Sequence, residues 1–165
     1  MKIVLDACCG GKHFWIDKTN PHVLFMDIRK EPKGFIKEQP NFEVSPDIIG
    51  DYRKTNFKDK QFKHIVWDIP HKIKKDSGII TKKYGYLGEN WKEDLTAGFN
   101  ELWRILDDGG TLCLKFSDLD ISIKTLLDLF PIKPLYGTPT KKGVNCSYWF
   151  VFVKTDYSCP SAFGK

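Results

Sequence analysis

Short apolar runs alternate along this chain with stretches that are polar or have helical spacing. Apolar residues continue almost without interruption through Ile3–Cys9, Val23–Arg29 and His64–Pro70, as they do in strands that are buried on both faces. Asp47–Tyr52 has a weaker strand pattern. This alternation is typical of the α/β class.

The region after residue 90 continues the alternation. Apolar residues at helical spacing predict a helix over Asn90–Leu106, and the run Asp107–Gly110 is expected to end it. A further buried strand is predicted at Thr111–Ser117.

The end of the chain predicts one more helix and two strands. The helix is expected to begin at Asp118 or Asp120, either of which can act as its N-cap, and to run through Phe130. The strands are predicted at Ile132–Tyr136 and Ser147–Lys154, with about ten residues between them. Because a parallel crossover needs a longer connection, the two strands should form an antiparallel hairpin.

These elements together predict a Rossmann-like α/β fold. Its central sheet is mostly parallel, ends in a C-terminal antiparallel hairpin and has helices on both faces. Residues 1–154 are expected to form a single domain, and residues 155–165 a loosely held tail.

A glycine-containing turn, LDACCGG, links the first predicted strand to a short helix expected to begin near Lys12–Phe14. Glycine lets the backbone approach a ligand closely, and open parallel sheets bind ligands at the carboxyl ends of their strands. The dinucleotide fingerprint G-x-G-x-x-G does not occur in the chain, which argues against a nicotinamide cofactor. The predicted cofactor-binding residues of this turn are Asp6, Ala7, Cys8, Cys9, Gly10 and Gly11.

The second and third predicted strands also end in acidic residues. Asp27 is placed to accept hydrogen bonds from ribose hydroxyls, with Ile28 available to pack on an adenine face. Asp51 is a candidate acceptor for the exocyclic amine of the adenine, with Tyr52 beside it. Acids at three successive strand ends predict a site for an adenosine-containing cofactor.

These motifs resemble those of the class I methyltransferases that use S-adenosylmethionine (SAM). The turn LDACCGG is similar to the family's strand–D-x-G-x-G turn, and Asp27 is similar to its second-strand acid. The resemblance implies SAM as the cofactor and methyl transfer as the activity. Lys12 departs from the pattern, because many members have the last glycine of the turn there; its ammonium is either a partner for the methionine carboxylate or a solvated charge.

The segment Asp68-Ile69-Pro70-His71 resembles the D/N/S-P-P-aromatic motif of amino-methyltransferases, which methylate exocyclic nitrogens of nucleobases. An aromatic amine is a poor nucleophile, so acceptors for its two N–H groups favour attack and stabilise the developing positive charge. The resemblance implies that Asp68 and the backbone carbonyl of Ile69 accept these bonds. Pro70 would stiffen the loop, and His71 would stack on the base.

Lysines and aromatic residues are interleaved after this motif. Lysines that hold phosphates beside stacking side chains suit a single-stranded or flipped-out nucleotide, whereas a solvated lysine-rich lid over packed tyrosines is the alternative. The loop Gly137–Gly143 is expected at the same edge of the sheet. The predicted substrate-binding residues are Lys82, Lys83, Tyr84, Tyr86, Lys141 and Lys142.

Composition adds weaker constraints. The formal net charge of +5 favours a polyanionic partner. The five cysteines have no framework spacing and the four histidines no ligand spacing, so we predict reduced thiols and no metal. No apolar run approaches the roughly 20 residues that span a bilayer, and the first strand begins without a signal-peptide pattern. A cytoplasmic protein with no membrane association is expected, and the oligomeric state is open.

Three functions therefore follow from the sequence. The first is SAM-dependent N-methylation of an exocyclic amino group of a nucleobase in DNA or RNA. The second is a small-molecule or protein methyltransferase of the same fold. The third is a non-catalytic module that binds SAM or a nucleotide and regulates a partner.

Overall fold

A computed structural model of the chain describes residues 1–138 and 147–155. Within these residues one seven-stranded sheet is present. Its strands are β1 Val4–Asp6, β2 Val23–Asp27, β3 Ile48–Ile49, β4 Phe62–Asp68, β5 Leu106–Ser117, β6 Tyr136–Gly137 and β7 Ser147–Val153.

The strand order is β3-β2-β1-β4-β5-β7-β6. All neighbouring pairs from β3 to β5 are parallel. β7 is antiparallel to β5 and to β6. The α/β class and the mostly parallel sheet with a closing antiparallel pair are therefore confirmed, and β6 runs in the direction of the parallel strands, as predicted.

Three helices accompany the sheet in the described part of the chain: α1 Ile79–Tyr84, α2 Trp91–Ile105 and α3 Ile123–Asp128. The helix predicted over Asn90–Leu106 is confirmed as α2. The sequence did not predict α1. The N-cap of α3 is Ser122, whose Oγ accepts the Thr125 N–H at 3.1 Å, so the prediction of an acidic cap was wrong.

The main core lies between α2, α3 and one face of the sheet. Alternation along the strands points Leu5, Ile65, Leu112 and their neighbours to this face. Phe99 of α2 is fully buried there. α2 and α3 cover a face of the sheet and not the edge at which the parallel strands end. That carboxyl edge is therefore available for a site.

The opposite face is covered differently from the prediction. The segment after the glycine turn, where a short helix was expected near Lys12–Phe14, consists of turns, so that prediction was wrong. Its Trp15 packs edge-on against Phe25 of β2, at 5.2 Å between ring centroids. In the described residues, aromatic side chains on turns thus cover part of the face for which a helix was predicted.

Several predicted boundaries also moved. The fully paired part of the first strand is Val4–Asp6 and not Ile3–Cys9, because the chain turns across the sheet edge after Asp6. The strand predicted at Ile132–Tyr136 is observed at Tyr136–Gly137, at the edge of the sheet, where it pairs with β7 in the described part of the chain. By contrast β5 begins earlier than predicted and takes in Asp107–Gly110.

Candidate functional site

The glycine turn lies across the carboxyl ends of the central strands. The Ala7 N–H donates to the Val66 carbonyl and the Cys9 N–H to the Met26 carbonyl, both at 2.9 Å. The turn is thus held between β4 and β2. Gly10 has φ +46°, a left-handed conformation that favours glycine, and a Cβ built on it would meet no atom within 4 Å. The Gly10 backbone therefore faces open space in which a ligand can approach it.

Lys12, the departure from the family turn, also has a left-handed backbone, with φ 52°. The chain therefore keeps the shape that a glycine would adopt there, at a cost of roughly 1–2 kcal/mol for a residue with a Cβ. The Lys12 ammonium lies 4.1 Å from the centroid of the Phe25 ring, where the aromatic face attracts a cation.

Asp27 is buried at the end of β2 and orders the turn. Its Oδ2 accepts the Gly10 N–H at 2.8 Å, and its Oδ1 accepts the Arg29 N–H at 2.9 Å. Each carboxylate oxygen has a second lone pair, so Asp27 can still accept hydrogen bonds from a ligand hydroxyl.

Two cavities meet at this turn, and we name each after a residue of its wall. The Tyr52 cavity has a volume of about 260 Å³. The Lys115 cavity has a volume of about 170 Å³. Cys8, Asp27 and Arg29 lie on both walls, so the two volumes adjoin and jointly fall within the roughly 300–1,000 Å³ typical of ligand sites.

The Tyr52 cavity brings together six of the ten predicted cofactor residues. Ile28 is 56% exposed beside it, which leaves an apolar face for a planar ring. The six residues are Ala7, Cys8, Asp27, Ile28, Asp51 and Tyr52. The Lys115 cavity takes in Cys9, Gly10 and Gly11.

Asp51 is held by an arginine that the sequence did not single out. Arg53 donates to both Asp51 carboxylate oxygens and also bonds Asp94 of α2 at 2.9 Å. This network lowers the pKa of Asp51, against the effect of its partial burial. Asp51 therefore presents an ionised carboxylate at the wall of the Tyr52 cavity.

Asp6, the remaining predicted cofactor residue, lies beneath the turn and on neither cavity wall. It is fully buried and accepts the Trp15 indole N–H at 2.6 Å. Burial raises the pKa of Asp6 to about 7, opposed by the hydrogen bonds from Trp15 and Cys8. In this structure Asp6 anchors the segment that follows the turn.

Asp68 ends β4 on the wall of the Lys115 cavity and is paired with a lysine. The Lys115 ammonium donates to both Asp68 carboxylate oxygens at 2.9 Å. The two side chains are only 12% and 19% exposed. Burial raises the pKa of Asp68, and the charge and hydrogen bonds of Lys115 oppose that rise.

The other residues of the Asp-Ile-Pro-His segment have distinct environments. The Ile69 side chain is buried in the core, and Pro70 lies on the wall of the Tyr52 cavity. His71 is turned into the protein: its side chain is 11% exposed, and its Nδ1 accepts the Ser117 N–H at 3.3 Å. Burial and Lys115 lower the pKa of His71 to about 4, so the imidazole is neutral at pH 7.

The predicted substrate residues lie on or beside α1. Tyr84 lies on both cavity walls, and Tyr86 lies on the wall of the Tyr52 cavity. The Lys83 ammonium is 5.3 Å from the centroid of the Tyr84 ring. Lys82 is close to Glu38, with 3.9 Å between Nζ and Oε1. Lys141 and Lys142 lie outside the described residues.

Besides Arg53, the sequence did not indicate the roles of Lys115 and Arg29 in the site. Lys115 is paired in register with Asp68 across β4 and β5, and no local pattern connects positions 68 and 115. Arg29 donates to the backbone carbonyls of Lys82 and Lys83, at 3.1 and 2.9 Å. Its place two residues after the second-strand acid was the only signal in the sequence.

Other features of the site concern thiols, metals and membranes. Burial raises the pKa of both Cys8 and Cys9, so these thiols stay protonated and weakly nucleophilic. In residues 1–138 and 147–155, no group of three or more His, Cys, Asp or Glu side chains is arranged to hold a metal ion. None of the helices described is long and apolar enough to cross a bilayer.

Comparison with known proteins supports the fold. No protein-family model matches the chain, and no curated protein matches it. The structure of the PH0226 protein from Pyrococcus horikoshii OT3 aligns over 92% of this chain and 81% of its own, with a TM-score of 0.58 and 18% identity. A structure described as a SAM-dependent methyltransferase from Methanosarcina mazei aligns over 92% of both chains, with a TM-score of 0.53 and 14% identity. The chain therefore has the Rossmann-like fold of the class I SAM-dependent methyltransferases.

Proposed function

We propose that this protein is a SAM-dependent methyltransferase. The observation that carries the proposal is the pair of adjoining cavities at the carboxyl edge of the parallel strands. Asp27 lies on the walls of both, and the open backbone of Gly10 lines the Lys115 cavity. This edge is where open α/β sheets bind their ligands.

The residues present fit the parts of SAM. Asp27 would accept from the ribose hydroxyls, and Ile28 and Tyr52 offer apolar surface to the adenine. Asp51 would accept from the adenine amine. The Gly10–Gly11 backbone would border the methionine part in the Lys115 cavity. SAM supplies an electrophilic methyl group bonded to a sulfonium sulfur, and that sulfur leaves as a thioether with the electron pair of the broken C–S bond.

For the acceptor, we propose an exocyclic amino group of a nucleobase. Asp68 is the carboxylate on the wall of the Lys115 cavity that is suited to accept from such an amine. As the nitrogen takes the methyl group, positive charge develops on it, and the ionised Asp68 stabilises that charge and accepts the proton that leaves. Because His71 is neutral, Lys115 is the cation that favours the ionised form of Asp68 and opposes the rise of its pKa on burial.

Tyr84 is a better candidate than His71 for stacking on the acceptor. Tyr84 lies on both cavity walls, whereas the His71 ring packs edge-on against Phe116 at 5.5 Å between centroids. The aromatic function that the Asp-Ile-Pro-His segment implies for its fourth position would then be supplied from α1.

The test separates cofactor binding from transfer. SAM affinity is measured by calorimetry, and transfer of labelled methyl to DNA, RNA and tRNA pools is followed by nucleoside mass spectrometry. Asp27→Ala should weaken SAM binding by about tenfold or more, because it removes a buried hydrogen-bonded carboxylate. Asp68→Asn should leave SAM affinity within about threefold but lower transfer by about 100-fold, in the range of one lost electrostatic contact.

Asp128→Asn replaces an exposed carboxylate on α3 with a carboxamide. This variant is the control for both others and should change neither SAM affinity nor methyl transfer. Failure of the wild-type protein to bind SAM would contradict the methyltransferase proposal. SAM binding with no methyl transfer to any nucleic acid would contradict the nucleobase acceptor alone. Label in a metabolite or protein fraction would then favour a small-molecule or protein methyltransferase. The absence of any methyl transfer would favour a non-catalytic module that binds SAM.

A further inference from the structure

A third concave surface adjoins the Lys115 cavity on the side away from the Tyr52 cavity, with which it shares no lining residue. It runs between residues 10–19 and residues 39–45, with a volume of about 530 Å³, and we call it the Asn41 groove. Its wall includes Lys18, Gln39 and Asn41. Gly10, Gly11 and His13 line both the groove and the Lys115 cavity, so a ligand in the groove would lie next to the proposed transfer site.

Aromatic rings form the boundary between the two spaces. His13 stacks on Phe42, with 5.4 Å between centroids and 16° between planes. His13 is also 6.1 Å from the Tyr84 ring. A Cβ at Gly11 would lie 2.4 Å from Phe42 Cε2 and 3.0 Å from His13 Nε2. Glycine at position 11 is therefore what lets these rings pack against the turn.

The charges around the groove favour an anion. Lys12 and Lys18 lie on its wall, and the Lys83 ammonium is 5.0 Å from the centroid of the Phe42 ring. The carboxylate on the wall is Glu43, which is already close to the Lys33 ammonium, at 3.9 Å. His13 adds no positive charge, because burial and the neighbouring lysines lower its pKa.

We propose that the Asn41 groove binds a nucleotide unit of the acceptor strand. Lysines hold its phosphate, the His13–Phe42 pair offers a stacking surface for its base, and the Gln39 and Asn41 amides can bond the base edge. The inference deepens the proposed function, because it places the acceptor strand beside the turn as well as on the lysine-rich segment around α1. It also explains how a chain with one sheet and no second recognition domain in its described part could hold a polymer.

The test measures binding of a fluorescent single-stranded oligonucleotide of roughly ten nucleotides by anisotropy, without SAM. Lys18→Gln should weaken binding by about threefold to tenfold and lower the salt slope by about 0.7, the value expected for one phosphate contact on a single strand. Lys124→Gln removes the charge of another exposed lysine, on α3, and should change neither quantity.

The base contacts are tested separately from the phosphates. Asn41→Ala and His13→Ala should each weaken binding of the normal oligonucleotide, His13→Ala by about tenfold as for loss of a stacking partner. An abasic oligonucleotide should bind the wild type more weakly than the normal one does. Neither substitution should change the affinity for the abasic oligonucleotide. His22→Ala, at an exposed histidine on the amino side of β2, is the matched control.

Binding of a 5′-mononucleotide is measured in parallel, to distinguish a site for a free nucleotide from a site for a nucleic-acid strand. Groove-dependent binding of either ligand supports the proposal, and the tighter of the two identifies the source. The proposal is overturned if neither binds, if Lys18→Gln and Asn41→Ala bind as the wild type does, or if the abasic strand binds as well as the normal one. Calorimetry with SAM on Lys18→Gln and Asn41→Ala should show wild-type affinity, so failure of the groove and failure of the cofactor site remain distinguishable.

Discussion

Asp6, Asp27 and Asp68 end three adjacent parallel strands, and each carboxylate has a different environment. Asp27 accepts two backbone N–H groups, and Asp68 is paired with Lys115. Asp6 accepts the N–H groups of Trp15 and Cys8, and no cation of the described residues lies within hydrogen-bond distance of it. One residue type at equivalent positions therefore serves three purposes, which its local partners determine.

The burial of Asp6 should make the stability of the protein depend on pH. Its pKa is raised from 3.8 to about 7 in the folded state. Between these values the folded protein keeps a proton that the unfolded chain has released, so stability is lost as the pH rises from about 4 to 7. Asp6→Asn removes this titration. As the pH rises over that interval, the free energy of unfolding of the variant should therefore increase relative to that of the wild type by on the order of 2–4 kcal/mol.

Urea denaturation at pH 4, 5, 6 and 7 measures the effect, with Asp128→Asn for comparison. The pKa of Asp128 is lowered by Lys124, so its contribution has the opposite sign: it is present at higher pH and lost as the pH falls. Parallel curves for the wild type and Asp6→Asn would show that Asp6 ionises without the expected cost.

At the scale of elements, α1 depends on the site for its own stability. A helix of six residues forms too few internal hydrogen bonds to be stable alone. The Arg29 guanidinium donates to the carbonyls of Lys82 and Lys83 in its last turn, where a cation also interacts favourably with the helix dipole. Arg29 thereby stabilises the position of α1 and of its Tyr84 beside both cavities.

Arg29→Gln should release α1 without unfolding the sheet. Amide hydrogen exchange is expected to be faster by about 10-fold to 150-fold in α1, since a hydrogen bond from a charged group contributes about 1.5–3 kcal/mol. The exchange of β4 and β5 should not change. Arg53→Gln is the matched control, because Arg53 binds Asp51 and Asp94 and has no bond to α1. Equal acceleration in both variants would show that α1 is held by general packing.

At the scale of the whole molecule, an aromatic cluster connects the parallel half of the sheet to its antiparallel end. Phe99 of α2 stacks on Phe130 at 4.6 Å and contacts Phe152 of β7 edge-on at 5.3 Å between centroids. Phe130 in turn lies 5.9 Å from Trp67 of β4. We therefore propose that residues 1–154 fold as a single domain.

Phe99→Ala should lower the free energy of unfolding by about 3–5 kcal/mol, the usual cost of removing a buried phenyl ring. Asn100→Ala, one position along on the exposed side of α2, should change it by less than about 0.5 kcal/mol. If the domain is single, far-UV and near-UV circular dichroism should report the same midpoint in urea for the wild type. Two separate midpoints would contradict the single domain.

The class of fold and the acidic strand ends follow from local patterns in the amino-acid sequence. Apolar runs with period and length typical of buried strands located β1, β2, β4 and β7, because burial on both faces leaves a strong local signal. Since parallel strands end at a common edge, Asp6, Asp27 and Asp51 were predicted to form a cofactor site there. The structure places Asp27 and Asp51 on cavity walls, together with Asp68, whereas Asp6 is buried beneath the turn. The short gap before β7 was enough to predict its antiparallel direction.

The charges that pair with those acids, and the residues that close the site, depend on contacts between distant parts of the chain. The pairing of Lys115 with Asp68 depends on the register of β4 and β5, which is a contact over 47 positions. The helix α1 has too few residues for a periodic pattern, and Arg29, 53 positions from its carbonyl partner, stabilises it. The Asn41 groove arises from two loops that meet only in the folded chain. Local patterns predict elements because neighbours in sequence share them, whereas these contacts depend on how distant elements pack.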